Sequence, residues 1–316
     1  MAMLSRRNLL ATAVATTAMG LAPGRSIAQA PAPGTKRSRL IFLGTKGGPR
    51  VTMGRQMTGN LLLVDDVPYV IDCGYGTVRQ IVAAGVALPR LRHVFITHHH
   101  SDHNVEYFTL LLMAWASGLR TNVDAWGPPP IKRMTELQFE ANAYDIETRI
   151  ADEGRTPLKP LISVHELNAP GPVMQDERVR VASALVNHPP VTPAFAYRFD
   201  APDRSIVFSG DTTPSENLIA LARGADVLVH EVMYLPAIDR LLARVPNAST
   251  LRQHLIDSHT TVEDAGKVAK AAGVKTLVLS HLVPGDDPAI TDQMWIDGAR
   301  AHFDGRIVLA AELMEI

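Results

Sequence analysis

The chain has 316 residues, 46% of them hydrophobic and 20% charged, with a formal net charge of -1. This composition excludes a disordered chain, a coiled coil and a membrane bundle, and the near-zero charge gives no electrostatic case for a polyanionic partner. The single cysteine, Cys73, excludes an internal disulfide framework and a thiolate-rich zinc module; it ends the apolar run that starts at Tyr69 and reads as a small buried hydrophobe.

At the N-terminus, Ser5-Arg6-Arg7-Asn8-Leu9-Leu10 sets a twin-arginine pair before a mildly apolar stretch, and Ser26-Ile27-Ala28 supplies small residues for cleavage. Residues 1–28 read as a twin-arginine-type export signal, too short and too weakly apolar to span a bilayer. The mature protein is therefore expected in the periplasm with no membrane anchor. Residues 29–37 are rich in Pro, Ala and Gly and read as a flexible linker, leaving 38–316 as one domain. Short strands come first, over 39–43, 60–64 and 69–72, followed by a helix over 77–84 that Gly85 ends. A strand over 94–97 and a helix over 105–117 follow, then a strand over 122–126 and the breaker Gly127-Pro128-Pro129-Pro130. One long helix over about 131–152 carries Phe139, Ala143, Ile146 and Ile150 on a single apolar face, either packed on the core or closing over a site as a lid. Strands over 161–167, 179–186, 195–199 and 205–209 lead into alternating helix and strand, with strands over 226–230, 276–280 and 307–310 and a helix over 261–272. The fold class is α/β, of the α+β type.

The chemistry concentrates where the strand 94–97 runs into His98-His99-His100-Ser101-Asp102-His103. Imidazole and carboxylate suit zinc and similar divalent ions. His98 and His100, two apart on extended backbone, project to the same side and can share one ion, while Asp102 and His103 on the turn beyond can face a second. His188, Asp211 and His281 each follow an apolar strand, where a rigid sheet can hold a donor in place. Together these make seven donors, enough for two metals: His98, His100 and His188 on one, Asp102, His103 and His281 on the other, and Asp211 bridging.

These motifs resemble the five sequence motifs of the metallo-β-lactamase superfamily, in order: Asp72 in Ile71-Asp72-Cys73-Gly74, the histidine cluster, His188, Asp211 and His281. The resemblance covers residues 39–316. It implies a four-layer αβ/βα metallo-β-lactamase sandwich as a single catalytic domain, with two divalent ions, zinc before manganese or iron, in a cleft at one edge. Asp72 is then expected to steady the metal-binding loops without touching metal. Zinc β-lactamases of the common type carry a cysteine where this chain has Asp211, which weighs against antibiotic hydrolysis. The pair Glu231 and His259, in His230-Glu231 and His259-Thr260-Thr261, resembles instead the ribonuclease Z and arylsulfatase-like branch. There Glu231 would orient His259, and His259 would protonate the leaving oxygen; His254 competes for that role, and His93, His99, His165 and His302 read as structural.

The implied mechanism is hydrolysis of an ester, of phosphodiester or aryl sulfate type, by a water that two metals share and acidify, with Asp102 holding that nucleophile. The substrate is expected to be a small-molecule ester. Nucleic acid is not expected, because an exported protein does not meet precursor transfer RNA. In addition, residues 131–167 carry five basic side chains against seven acidic ones. Alternatives are a lactonase or β-lactamase-like hydrolase, the 3′ transfer-RNA endonuclease activity of ribonuclease Z, and an iron-dependent redox enzyme, against which His100 stands because such relatives carry glutamate there. A non-catalytic binding protein is disfavoured because all seven donors are kept. A homodimer is the one oligomer considered.

Overall fold

The computed structural model describes residues 38–316, so the export signal expected over 1–28 and the linker expected over 29–37 lie outside the described residues. Within them, one sheet holds β1 (Ser38–Gly44), β2 (Gly59–Val64), β3 (Val67–Cys73), β4 (His93–Phe95), β5 (Val123–Gly127) and β6 (Ile162–Glu166), in that spatial order. The pairs β1–β2 and β2–β3 are antiparallel; β3 to β6 run parallel. The second sheet holds β7 (Gly171–Gln175), β8 (Arg180–His188), β9 (Val191–Asp200), β10 (Ser205–Phe208), β11 (Val227–Met233), β12 (Thr276–Val283) and β13 (Arg306–Leu309), side by side in sequence order. It is antiparallel from β7 to β10 and parallel from β10 to β13. The helices are α1 (Thr77–Ala83), α2 (Ser101–Asn104), α3 (Tyr107–Ala116), α4 (Ile131–Ala141), α5 (Ala143–Glu153), α6 (Glu216–Ala222), α7 (Ile238–Leu242), α8 (Leu251–Ser258), α9 (Val262–Ala272) and α10 (Asp292–Arg300).

Three apolar clusters bind these elements into four layers. Between the sheets, Phe42, Tyr69 and Phe95 meet Phe195, Tyr197, Phe199 and Phe208. On the outer face of the first sheet, Val70, Val94 and Val123 pack against Leu111 and Trp115 of α3, Ile131 of α4 and Ile146 of α5. The second sheet buries Leu228, Leu277 and Leu279 under Leu218 of α6, Val268 of α9 and Trp295 of α10. Strands covered on both faces lose the polar–apolar alternation, which is why they read as continuous apolar runs. The expected four-layer αβ/βα sandwich is what forms.

Local differences have local causes. The expected helix over 131–152 is two helices, broken at Asn142, whose side-chain amide donates to the carbonyl of Gln138. Phe139, Ile146 and Ile150 nonetheless pack on the core, so α4 and α5 cover the first sheet. The edge strand β7 has no forerunner in the sequence reading, since Gly171 and Pro172 mask it. Aromatic side chains interleave between the two sheets. Phe199 sits 5.0 Å from the Phe95 ring and 5.7 Å from the Phe208 ring, edge to face. Phe199→Ala is expected to cost about 3–5 kcal/mol in urea unfolding with an unchanged denaturant slope, and a loss below about 1 kcal/mol would mean the two sheets can collapse around the hole.

Candidate metal centre

The candidate donors lie at or just beyond the C-terminal ends of β4, β8, β10 and β12, the last three running in one direction within the second sheet. After β4 the chain stays extended through His100 and then makes the single turn α2, which carries Asp102 and His103. His98 Nε2 lies 3.1 Å from His100 Nδ1, and His188 Nε2, from the end of β8, lies 3.0 Å from the same atom. Asp211 follows β10, and its Oδ2 stands 3.8 Å from His98 Nε2 and 3.9 Å from His188 Nε2. On its other side that oxygen stands 3.3 Å from His103 Nε2 and 3.1 Å from His281 Nε2. Asp102 Oδ2 lies 3.4 Å from His281 Nε2. The donors thus gather as His98, His100, His188 and Asp211 and as Asp102, His103 and His281, with Asp211 facing both groups.

His281 reaches this place through a bulge. The strand expected to end at Ser280 continues to Val283, and the pairing of β12 with β11 slips at His281, whose φ is 46°. Asp72, at φ 62°, is a second non-glycine residue in the left-handed region. Its carboxylate accepts from the Thr97 amide at 2.8 Å and from His103 Nδ1 at 2.8 Å.

Proton accounting shows where the lone pairs point. Thr97 Oγ1 donates to Asp72 and so accepts from His98 Nδ1 at 3.1 Å. His188 Nδ1 donates to the Ser258 carbonyl at 2.9 Å and His103 Nδ1 to Asp72, so in their neutral forms His98, His188 and His103 all turn the Nε2 lone pair inward. His103 Nε2, His281 Nε2 and Asp211 Oδ1 are buried with no hydrogen-bond partner of good geometry among the described residues.

Charge points the same way. Burial holds the pKa of His98 well below its ordinary value, and burial with the adjacent His188 holds His100 at about 4. Burial opposes ionisation of Asp102 and Asp211, yet His103 and His281 outweigh it and hold both carboxyls far below the usual range. In return burial would depress His281, but Asp211 and Asp102 lift it to about 10, and the same anions lift His103. The two buried carboxylates thus favour positive charge in the space they face. Lone pairs available inward, buried polar atoms left without partners among the described residues and two ionised carboxylates fit divalent cations.

Beside the donors, Glu231 Oε1 accepts from His259 Nδ1 at 3.2 Å, from the Thr260 amide at 3.0 Å and from the Thr212 amide at 3.2 Å. His259 sits between α8 and α9, 4.0 Å from Asp211 Oδ2. His254 lies on α8 near the cluster but outside the donor groups. His93 stacks on Tyr69, His99 bonds the Pro128 carbonyl and His165 bonds Asp124, all away from the centre.

A cleft of about 420 Å³ opens over the donors. One wall is apolar, from Leu241, Val245, Leu251 and Leu255; another is the loop 46–50 after β1. That loop escaped the sequence reading, though Gly47-Gly48-Pro49 directly after a strand is a usable signal. A Cβ on Gly47 would lie 2.6 Å from the His281 ring, and the Gly48 amide donates to Asp102 Oδ2 at 2.6 Å. Lys46 is almost wholly buried, its ammonium on the carbonyls of Gly47 and Gly48, and burial pushes it down to about 8.

A family profile described as "Beta-lactamase superfamily domain" matches residues 69–282. The ribonuclease Z of Mycobacterium bovis (strain BCG / Pasteur 1173P2) is 32% identical over 280 residues, 88% of this chain and 97% of that protein. The ribonuclease Z of Mycobacterium tuberculosis (strain ATCC 25618 / H37Rv) is 31% identical over the same share of each. Among solved structures, the metallo-β-lactamase fold protein YhfI from Bacillus subtilis superposes with a TM-score of 0.67 at 18% identity, covering 89% of this chain and all of that one. The short form of human tRNase Z does so with a TM-score of 0.65 at 21% identity, covering 88% and 98%.

The relatives correct two expectations. Nucleic acid was not expected as a partner, yet proteins named ribonuclease Z match 88% of the chain. The charge count behind that expectation came from the wrong surface. Among the described residues that line the cleft none comes from 131–167; its charged lining is Lys46 and Arg50 with Asp102, Asp211 and Asp286. The charges of 131–167 pair among themselves, Arg133 with Glu136 and Glu140, and Arg149 with Asp145 and Glu153. The relatives named ribonuclease Z likewise stand against the periplasmic location, and residues 1–28, which suggested export, lie outside the described residues.

Asp72 bonds His103 directly and reaches His98 through Thr97. Asp72→Asn is expected to weaken zinc binding by about 10–100-fold in a competitive chelator titration, and unchanged affinity would show that the imidazoles are oriented without it.

Proposed function

The chain belongs to the metallo-β-lactamase superfamily, and from that premise we propose that it is a metal-dependent phosphodiester hydrolase of the ribonuclease Z kind, acting on the 3′ side of precursor transfer RNA. The observation that carries the reading is the Glu231–His259 pair set against a centre of seven donors. The identity to ribonuclease Z over 97% of that protein's length supports it. His98, His100 and His188 would hold one cation, Asp102, His103 and His281 the other, and Asp211 both; His and Asp accept zinc, manganese or iron. When bound, such a pair supplies Lewis acidity toward phosphoryl oxygens and an acidified water at neutral pH.

The residues of the chain do the rest. Burial would depress His259, but Glu231 at hydrogen-bond distance, with Asp211 behind it, outweighs burial and holds its pKa above the ordinary value. Two backbone amides fix the Glu231 carboxylate, so His259 keeps Nδ1 on Glu231 and has Nε2–H free to protonate a departing alkoxide. Asp102 would hold the attacking water or take its proton. On the loop 46–50, Arg50 pairs with Asp286 at the cleft and is the cation that would turn to a flanking phosphate, while Lys46 stays buried on the Gly47 and Gly48 carbonyls. A second reading, hydrolysis of small aryl phosphodiesters or sulfates, is favoured by the apolar wall of Leu241, Val245, Leu251 and Leu255.

Metal-loaded protein is expected to cut a precursor transfer RNA with a 3′ trailer, to stop on chelation and to resume on readdition of zinc or manganese. Turnover of bis(4-nitrophenyl) phosphate with no cut in the RNA would favour the second reading. His259→Ala is expected to lower kcat about 10²–10⁴-fold for the RNA, whose leaving alkoxide needs a proton, and far less for the nitrophenyl ester. Equal losses on both substrates would remove His259 as the proton donor.

A further inference from the structure

We propose that His254 is a specificity residue, its Nε2 accepting a hydrogen bond from the substrate hydroxyl vicinal to the scissile phosphate, so that the cleft selects ribose over deoxyribose. The inference rests on the phosphodiesterase reading above.

His254 lies on α8, is half-buried and lines the cleft. Its ring centroid is 5.9 Å from that of His100, 6.0 Å from His188 and 5.9 Å from His259. It stands one group away from the reacting centre, and it belongs to none of the donor clusters.

Hydrogen-bond accounting fixes its tautomer. Ser258, one turn further along α8, is fully buried. Its hydroxyl has one proton, which goes to the Pro189 carbonyl at 2.5 Å, an atom that can only accept. The oxygen of Ser258 can therefore only accept from His254 Nδ1, 3.3 Å away. In the neutral ring Nδ1 carries the proton and Nε2, on the far side from Ser258, carries the lone pair. Ser258 thus orients two imidazoles at once, His254 through its hydroxyl and His188 through its carbonyl.

That tautomer decides what His254 can do. It has no proton to spare for a leaving group, because Nδ1–H is committed. Its Nε2 repels phosphate oxygens, which only accept. What it fits is a donor, and the donor closest to the phosphate in a ribonucleotide strand is the 2′-hydroxyl. Leu251 and Leu255, on the same helix, line the cleft with apolar surface and offer that hydroxyl no competing acceptor. One such bond corresponds to a preference of about 3- to 10-fold.

The test uses the metal-loaded full chain and two strands, one all-ribose and one with a single 2′-deoxyribose on the 5′ side of the cleaved bond. The wild type is expected to favour ribose by about 3- to 10-fold in kcat/KM. His254→Ala is expected to bring that ratio to about 1. His254→Gln, which keeps an acceptor oxygen, is expected to restore part of it. Histidine ¹⁵N spectra of the wild type are expected to show His254 with a pyridine-type Nε2. A ratio that is the same in the wild type and His254→Ala, or a protonated Nε2 in the neutral ring, overturns the proposal. Turnover of bis(4-nitrophenyl) phosphate with the proposal overturned leaves the phosphodiesterase reading standing. Loss of all phosphodiester turnover in the wild type removes that reading and this proposal together.

Discussion

Two carboxylates, Asp102 and Asp211, are buried side by side against one small volume, and almost nothing else at that edge of the molecule makes sense without them. A buried anion is stable only when opposite charge or several donors face it. Here imidazoles surround both, and the two carboxylates, short of positive charge, lift the pKa of His103 and His281. Divalent cations would satisfy the same deficit, at the same atoms, with the lone pairs already turned inward. The electrostatic problem and the proposed chemistry are one feature.

Holding those donors needs stiffness, and the four layers supply it. Both sheets are buried on both faces, so the strand ends cannot drift without opening a cluster of Phe, Tyr and Leu side chains. The less favourable backbone at Asp72 and His281, both with φ in the left-handed region, is tolerated at these ends because packing and hydrogen bonds over-determine it. From Asp72 the order propagates through Thr97 to His98 and directly to His103; from Ser258 it passes to His188 and His254. Two small polar hubs therefore set the tautomers of four histidines.

Around this centre the walls differ in kind. The loop 46–50 presses glycine backbone onto His281 and Asp102, where any side chain at residue 47 would strike the imidazole. Across the cleft, α7, α8 and the turn between them supply leucine and valine. At the mouth the Arg50–Asp286 ion pair faces that apolar wall, so the cleft offers both charge and flat organic surface.

Much was legible from residue order alone. A β strand that meets apolar layers on both faces must be an apolar run, and a run that ends in His98-His99-His100-Ser101-Asp102-His103 must deliver those side chains to a strand end. Spacing also separates His98 and His100 from Asp102 and His103, and drops His99, whose ring turns to the Pro128 carbonyl. These are consequences of local geometry, with periods of two and of 3.6 that survive in any fold. Tertiary structure alone decided the rest. The bulge that aims His281, the glycine loop beneath Asp102 and the hydroxyl that orients His254 depend on segments distant in sequence meeting at one edge. The charge of residues 131–167 misled for the same reason: electrostatic attraction falls with distance and depends on which surface faces the substrate, and a count along the chain carries neither.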